Sequence, residues 1–300
     1  TLRRLIREGF DFDLIDAHFW YPDGVAASIL SHMLGKPFVC TARGSDITLY
    51  RQFAWPRRLL GRALRSAQGN IGVCTDLVEQ MVELGASRER ALTIRNGVDL
   101  ARFVPVDRRA AREQLGLDAG GLVLLSVGHL IERKGHHLAI ELLLHQTQAV
   151  LLIVGSGVLR AELEARAQRL GVEQRVRFEG QQPNDLLKTY YSAADVLLLA
   201  SSFEGWANVL LESMACGTPV VATRVNGTPE VVTQPVAGRM ADVRDVRHLQ
   251  GALQDLLSAY PDRAEVRRYA EGFSWEETTR LQYELFERVA GRQRAELSGV

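Results

Sequence analysis

Apolar runs of strand length recur through the last two thirds of the chain, at residues 122–127, 150–154, 176–178, 196–199 and 219–222. Helix-length segments lie between them, over residues 135–147, 158–170, 184–194 and 207–215. Strands that are apolar throughout, and not only at alternate positions, are buried on both faces. Alternating with amphipathic helices, they predict a parallel sheet covered by helices on both sides. Right-handed crossovers make such a sheet doubly wound and Rossmann-like. The first hundred residues carry a shorter version of the pattern, with strands at 14–17, 38–41, 70–74 and 91–94 and helices at 24–34, 56–66 and 76–84. The stretch 96–118 is loop-rich and contains Asn96-Gly97 and Pro105. The predicted fold class is therefore α/β, with Rossmann-like units over residues 1–104 and 105–275 and a closing segment, 276–300. Two last helices are expected at 246–259 and 276–290. Four short strands make an incomplete Rossmann half, so about three βα units of ~30 residues each, roughly 90 residues, are expected upstream.

Composition narrows the classes. Lys+Arg and Asp+Glu both number 36 in 300 residues, giving a formal net charge of zero. That excludes a strongly basic, whole-surface nucleic-acid binder and an acidic disordered chain. No run approaches the ~18 apolar residues of a membrane span. Cys40, Cys74 and Cys216 are isolated, without metal-ligand or redox spacing, which suits a reducing cytoplasm. Lys36, Lys134 and Lys188 are the only lysines, the other basic residues being arginines.

Glu204 and Glu212 bracket the most informative stretch, which begins where the strand at 196–199 ends. Ligands of doubly wound sheets bind beyond the carboxyl ends of the strands. Eight helical residues span at most ~12 Å, about the reach from a sugar across a diphosphate to a ribose. Backbone amides at Gly205, Trp206 and Ala207, with Asn208 after them, would face the diphosphate at a helix N-terminus. On spacing alone the two glutamates are equally readable as a helix-end charge and a surface residue. A second candidate runs from Ser126 to Gly135, where a strand ends in Gly128 and a loop carrying Arg133 and Lys134. Two cations and open helix amides suit a pyrophosphate, and a solvated loop is the alternative. A third is His18, after a strand and before Phe19-Trp20-Tyr21-Pro22-Asp23-Gly24, readable as an acceptor-side histidine or a structural one.

The stretch from Phe203 to Thr223 resembles the Glu-x7-Glu signature of glycosyltransferase family 4, retaining enzymes of the GT-B fold. The resemblance extends from about Leu14 to Phe286. It implies two Rossmann-like domains facing each other across a cleft, with the last helix crossing back to the first. It implies that Glu204 contacts the donor sugar, that Glu212 contacts the ribose, and that Lys134 holds the diphosphate. His129 stands where the family usually has a second cation, an arginine, and Arg133 is its cationic neighbour. His18 matches a family histidine near the reacting sugar. Arg43-Gly44-Ser45-Asp46 resembles a family loop that often has histidine in place of Arg43, which puts Arg43 and Asp46 on the acceptor side.

The implied function is retaining sugar transfer from a nucleotide diphosphate sugar to a polysaccharide or lipid-linked acceptor, with His18, Glu204 and Lys134 as catalytic residues and without metal or other cofactor. A nucleotide-sugar 2-epimerase and a non-catalytic nucleotide-sugar-binding subunit are the alternatives, and the chain as it stands is expected to be inactive. The helix at 56–66 aligns Leu60, Ala63, Leu64 and Ala67 on one face and Arg58, Arg62 and Arg65 on another. It reads either as a crossover helix or as a peripheral contact with anionic membrane, within a cytoplasmic protein. Asp11-Phe12-Asp13 merely introduces a strand. Gly155-Ser156-Gly157 lacks the third glycine of a dinucleotide fingerprint, and His129, His136 and His137 lack ligand spacing.

Overall fold

The structure, a computed structural model, describes residues 2–291. The end of the closing segment, 292–300, lies outside the described residues. The chain divides into two compact units, one comprising residues up to Arg95 with those from Glu276 onward, the other Asn96–Trp275.

The first unit is built from α1 (Leu2–Arg7), β1 (Ile15–His18), α2 (Val25–Leu34), β2 (Phe38–Ala42), α3 (Ser45–Thr48), α4 (Ala54–Ser66), β3 (Gly69–Gly72), α5 (Thr75–Glu83) and β4 (Ala91–Thr93). Its strands pair in parallel in the order β1-β2-β3-β4. Both central strands are buried along their whole length, which is why their sequences, apart from the buried Asn70, are apolar or small. In α4, Leu60, Ala63 and Leu64 are buried while Arg57, Arg58, Arg62 and Arg65 face solvent. The apolar stripe thus packs on the unit, as a crossover helix does.

The second unit contains α6 (Arg108–Gln114), β5 (Leu122–Val127), α7 (His136–Leu142), β6 (Ala149–Val154), α8 (Arg160–Arg169), β7 (Val176–Gly180), α9 (Asn184–Ala193), β8 (Val196–Leu199), α10 (Asn208–Ala215), β9 (Val220–Thr223), α11 (Thr228–Val231), β10 (Gly238–Ala241), α12 (Val246–Ser258) and α13 (Arg263–Glu271). The order is β10-β9-β8-β5-β6-β7, parallel throughout. The chain winds outward from β5 to β7, then returns to β8 on the other side. The sheet therefore has its topological switch between β5 and β8, where doubly wound sheets bind ligands. A final helix, α14 (Trp275–Val289), returns to the first unit. Its Leu285 is buried with Val39, Ile71 and Ile94.

Three expectations are corrected. The unit boundary lies at Arg95/Asn96, ahead of 104/105, because residues 96–104 are bonded into the second unit. Val98 N donates to Phe273 O at 2.8 Å, Arg267 donates to Leu100 O at 3.2 Å, and Phe103 meets Tyr191 edge-on at 6.0 Å. The loop-rich stretch contains α6, whose N-cap Asp107 accepts from Ala110 N at 2.8 Å. The sequence analysis had also passed over β10 and α13, a short edge strand and a strongly charged helix.

Arg112 explains why so polar a helix as α6 is fixed. Only 1% exposed, it donates to Ala193 O at 2.9 Å, Ala119 O at 2.8 Å, Gly121 O at 3.0 Å and Asp195 Oδ2 at 2.7 Å. Asp195 also accepts from Val123 N at 2.8 Å and pairs with Arg108. The guanidinium thus ties α6 to the starts of β5 and β8. Removing one partner of such a pair leaves an uncompensated buried charge, so Asp195→Ala should cost about 3–5 kcal/mol. A urea titration would read this as a lower midpoint with an unchanged m-value.

Candidate active site

At the switch point, two loops from the carboxyl ends of β5 and β8 meet. The β5 loop is held down by close backbone approach. A Cβ at Gly155 would lie 1.9 Å from Gly128 O, and one at Gly135 would lie 2.0 Å from Ala200 O. Both positions also have positive φ, so only glycine fits. Lys134 crosses from this loop, its methylenes against Gly128, and its Nζ reaches Glu204 Oε1 at 2.6 Å. Ser201 Oγ donates to the same oxygen at 2.6 Å. The ion pair is nearly dry, with side-chain exposures of 14% for Lys134 and 7% for Glu204.

After Glu204 the chain enters α10. Among the described residues, the Gly205 and Ala207 N–H groups carry no protein hydrogen bond, so they are open at the positive end of the helix. Trp206 is buried, its ring 6.4 Å from that of Phe273. Arg133, expected at the diphosphate, is engaged by the neighbouring loop through one of its N–H groups. Its Nη1 donates to Phe203 O at 3.0 Å and its guanidinium lies 5.9 Å from the Phe203 ring, so it braces the β8 loop. His129 is exposed. His136, only 2% exposed, supports the loop from below. Its Nε2 donates to His129 O at 3.2 Å and its Nδ1 accepts from Ser126 Oγ at 2.9 Å.

Glu212 lies about one turn into α10. Its Oε2 accepts from the Tyr191 hydroxyl at 2.7 Å. Burial pushes the Glu212 carboxyl up, against the pull of the Tyr191 bond and of Arg102. Asn208 and Glu212 share a face and border a cavity of about 160 Å³ with Arg102, Phe103 and Trp275. The Asn208 side chain accepts from Asn96 Nδ2 at 3.2 Å.

His18, Arg43 and Asp46 form a separate cluster in the first unit. Phe19, with φ 68°, turns the chain after β1, and its N–H donates to Thr41 O at 3.0 Å. Asp46 is corrected from an acceptor-side residue to a structural one. It is 2% exposed, and its oxygens accept from Trp20 N at 2.8 Å, Arg43 N at 3.0 Å and Gly44 N at 2.7 Å. Burial pushes its carboxyl up against these bonds. The clasp brings the ends of β1 and β2 together, so that Arg43 Nη2 lies 3.0 Å from His18 Nδ1.

The sequence reading missed Ser201, Tyr191 and Asp16. Ser201 directly follows the β8 run, and Asp16 shares a strand face with His18 at period two. Both had positional signals. Tyr191 had none, because its contact with Glu212 is made across two helices.

The model of the family described as "Glycosyl transferases group 1" matches residues 107–273. The chain belongs to this family. The "Glycosyltransferase Family 4" model matches residues 1–102. Among curated relatives of this glycosyl transferases group 1 chain, the D-inositol 3-phosphate glycosyltransferase of Segniliparus rotundus is 32% identical over 90% of this chain and 65% of its own length. The protein of the same name from Saccharomonospora viridis is 32% identical over 89% of this chain and 68% of its own. The chain thus spans about 65% of the length of the first of these relatives. Among solved structures, sucrose-phosphate synthase from Thermosynechococcus elongatus superposes with a TM-score of 0.86 at 25% identity, over 97% of this chain and 77% of that one. HepE of Anabaena, in complex with UDP, has the same fold, with a TM-score of 0.83 at 23% identity over 97% and 82%. The family's fold is GT-B, and both units have the parallel α/β construction it requires.

His136 makes the β5 loop acid-sensitive. Burial lowers its pKa from 6.5 to about 4. Between these values the unfolded chain binds a proton that the folded chain refuses, so stability falls as pH drops through this window. The loss should reach about 3 kcal/mol near pH 4, at 1.36 kcal/mol per unit. Urea midpoints from about pH 7 to pH 4 would show it, and His136→Gln should flatten the profile.

Proposed function

We propose that the full-length protein carries out retaining sugar transfer from a nucleoside diphosphate sugar to an acceptor hydroxyl. The observation that carries this reading is the meeting of Lys134 and Glu204 at 2.6 Å at the switch point, beside the open Gly205 and Ala207 amides. An ammonium and helix-end N–H groups suit a departing diphosphate. In this reading the diphosphate takes over Lys134, and Glu204, released, accepts from sugar hydroxyls. Glu212 and Asn208 take the ribose. The acceptor oxygen bonds to the anomeric carbon on the face from which the diphosphate leaves, and its proton passes to the departing phosphate oxygen. Positioning and electrostatics do the work, with Lys134 in the role a metal would otherwise fill. His18 is assigned a sugar hydroxyl as its partner. The relatives named D-inositol 3-phosphate glycosyltransferase favour a polyol acceptor, and polysaccharide or lipid-linked sugars offer the same group. Donor consumption without acceptor would instead mark the epimerase, and nucleotide binding without turnover the binding subunit.

Calorimetry with UDP and GDP, followed by transfer assays on the full-length protein and its variants, tests the reading. Glu204→Gln should lower turnover at least ~100-fold, the scale of one positioned polar group. Glu212→Ala should weaken nucleotide binding by about 1.5–3 kcal/mol, the scale of a charged hydrogen bond. Normal kinetics in both variants would refute it.

The same reading extends to peripheral attachment on the inner face of the membrane, consistent with three buried free cysteines in a reducing cytoplasm. Among the described residues no helix is long and apolar enough to cross a membrane, and none of Arg57, Arg58, Arg62 and Arg65 pairs with a carboxylate. Three of them border a cavity of about 570 Å³ beside Trp55, which is 67% exposed. Since the apolar face of α4 is buried, lipid would meet only arginines and exposed aromatics. Flotation with phosphatidylglycerol vesicles should be weak and lost at high salt. Equal flotation of an Arg58, Arg62, Arg65 triple Ser variant, or none by the parent, would sink the idea.

A further inference from the structure

The polar cluster at the end of β1 fixes the chemistry of His18 more tightly than its sequence suggests. Asp16 and His18 alternate along the strand and so share a face. Asp16 Oδ2 lies 3.4 Å from His18 Nε2. From the loop after β2, Arg43 Nη2 lies 3.0 Å from His18 Nδ1. The nearby Asp46 has both oxygens committed to main-chain N–H groups. A guanidinium has only donors, so Nδ1 must be the bare nitrogen facing it. The neutral ring then carries its proton on Nε2, toward Asp16. At 3.4 Å that contact is longer than a full hydrogen bond, so the N–H is aimed without being consumed. The His18 side chain is 42% exposed and open to a ligand.

We infer that Arg43 sets the tautomer of His18 and that Asp16 orients it, so that His18 offers a ligand one N–H donor, at Nε2, and no acceptor at Nδ1. The inference rests on the transferase reading for the ligand, a sugar hydroxyl oxygen. Arg43 and Asp16 are positioning residues that act through the imidazole. His18 serves as a directed donor, and the acceptor's proton goes to the departing phosphate. The clasp of Asp46 sets the geometry by holding the Trp20, Arg43 and Gly44 amides on one carboxylate.

The test is nitrogen NMR of the unliganded chain with labelled histidine, at about pH 8, above the ordinary imidazole range. His18 is assigned by the resonance lost in His18→Gln. Wild type should show a pyridine-type Nδ1 and a pyrrole-type Nε2, a single tautomer. In Arg43→Met the Nε2–H to Nδ1–H ratio should fall at least about tenfold, within the scale of a hydrogen bond from a charged donor. Arg43→Lys, which still donates, should restore the wild-type shifts. A merely structural Arg43 would leave these shifts unmoved in folded Arg43→Met, checked by its amide spectrum. A protonated Nδ1 in wild type, a tautomer mixture there, or unmoved resonances in Arg43→Met would each overturn the inference. No ligand is needed, so a failed UDP and GDP titration would overturn the transferase reading alone.

Discussion

Lys134 and Glu204 are 70 residues apart in sequence and meet at 2.6 Å in a nearly dry setting. Neither charge would be tolerable there alone, because an isolated buried ion is expensive. Their pairing therefore requires both loops, and both loops require the sheet order that sets β5 beside β8. Ser201 satisfies the remaining demand of the shared carboxylate oxygen. Arg133 and Arg244 hold the two loops from outside through Phe203 O and Ala200 O. Two opposite charges are thus kept at the positive end of a helix.

Much of the fold was legible because parallel strands buried on both faces must be apolar at every position. Runs such as Leu122–Val127 and Val196–Leu199 stood out for that reason. Elements whose stability comes from particular polar contacts were less visible. Helix α6 carries little apolar pattern, and Arg112 folds it by reaching carbonyls and a carboxylate far along the chain. The unit boundary was misjudged for a similar reason. A loop-rich composition says nothing about which unit's carbonyls the loop will bond.

The site divides in the same way. Glu204 and Lys134 could be singled out because each lies in a loop just past the carboxyl end of an apolar strand run, and the structure pairs them at 2.6 Å. Arg133 was expected at a pyrophosphate because two cations stand beside a helix start, and Asp46 on the acceptor side because its loop resembles a family loop. In the structure Arg133 reaches across to Phe203 O in the β8 loop, and Asp46 is spent on three amides, those of Trp20, Arg43 and Gly44. Tyr191 could be found only once α9 and α10 had been packed, because its hydroxyl selects Glu212 across that interface.

The glycine contacts beneath the β5 loop have a further consequence. With Gly155 pressed on Gly128 O and Gly135 on Ala200 O, the loop has no room to retreat from a ligand. Its backbone freedom was given up when the sheet folded, so little remains to be lost when a ligand arrives. Binding at this floor should then be dominated by the enthalpy of exchanging ionic and hydrogen-bond partners. Discrimination would rest on whether a ligand matches a rigid surface, since the surface cannot bend to meet it.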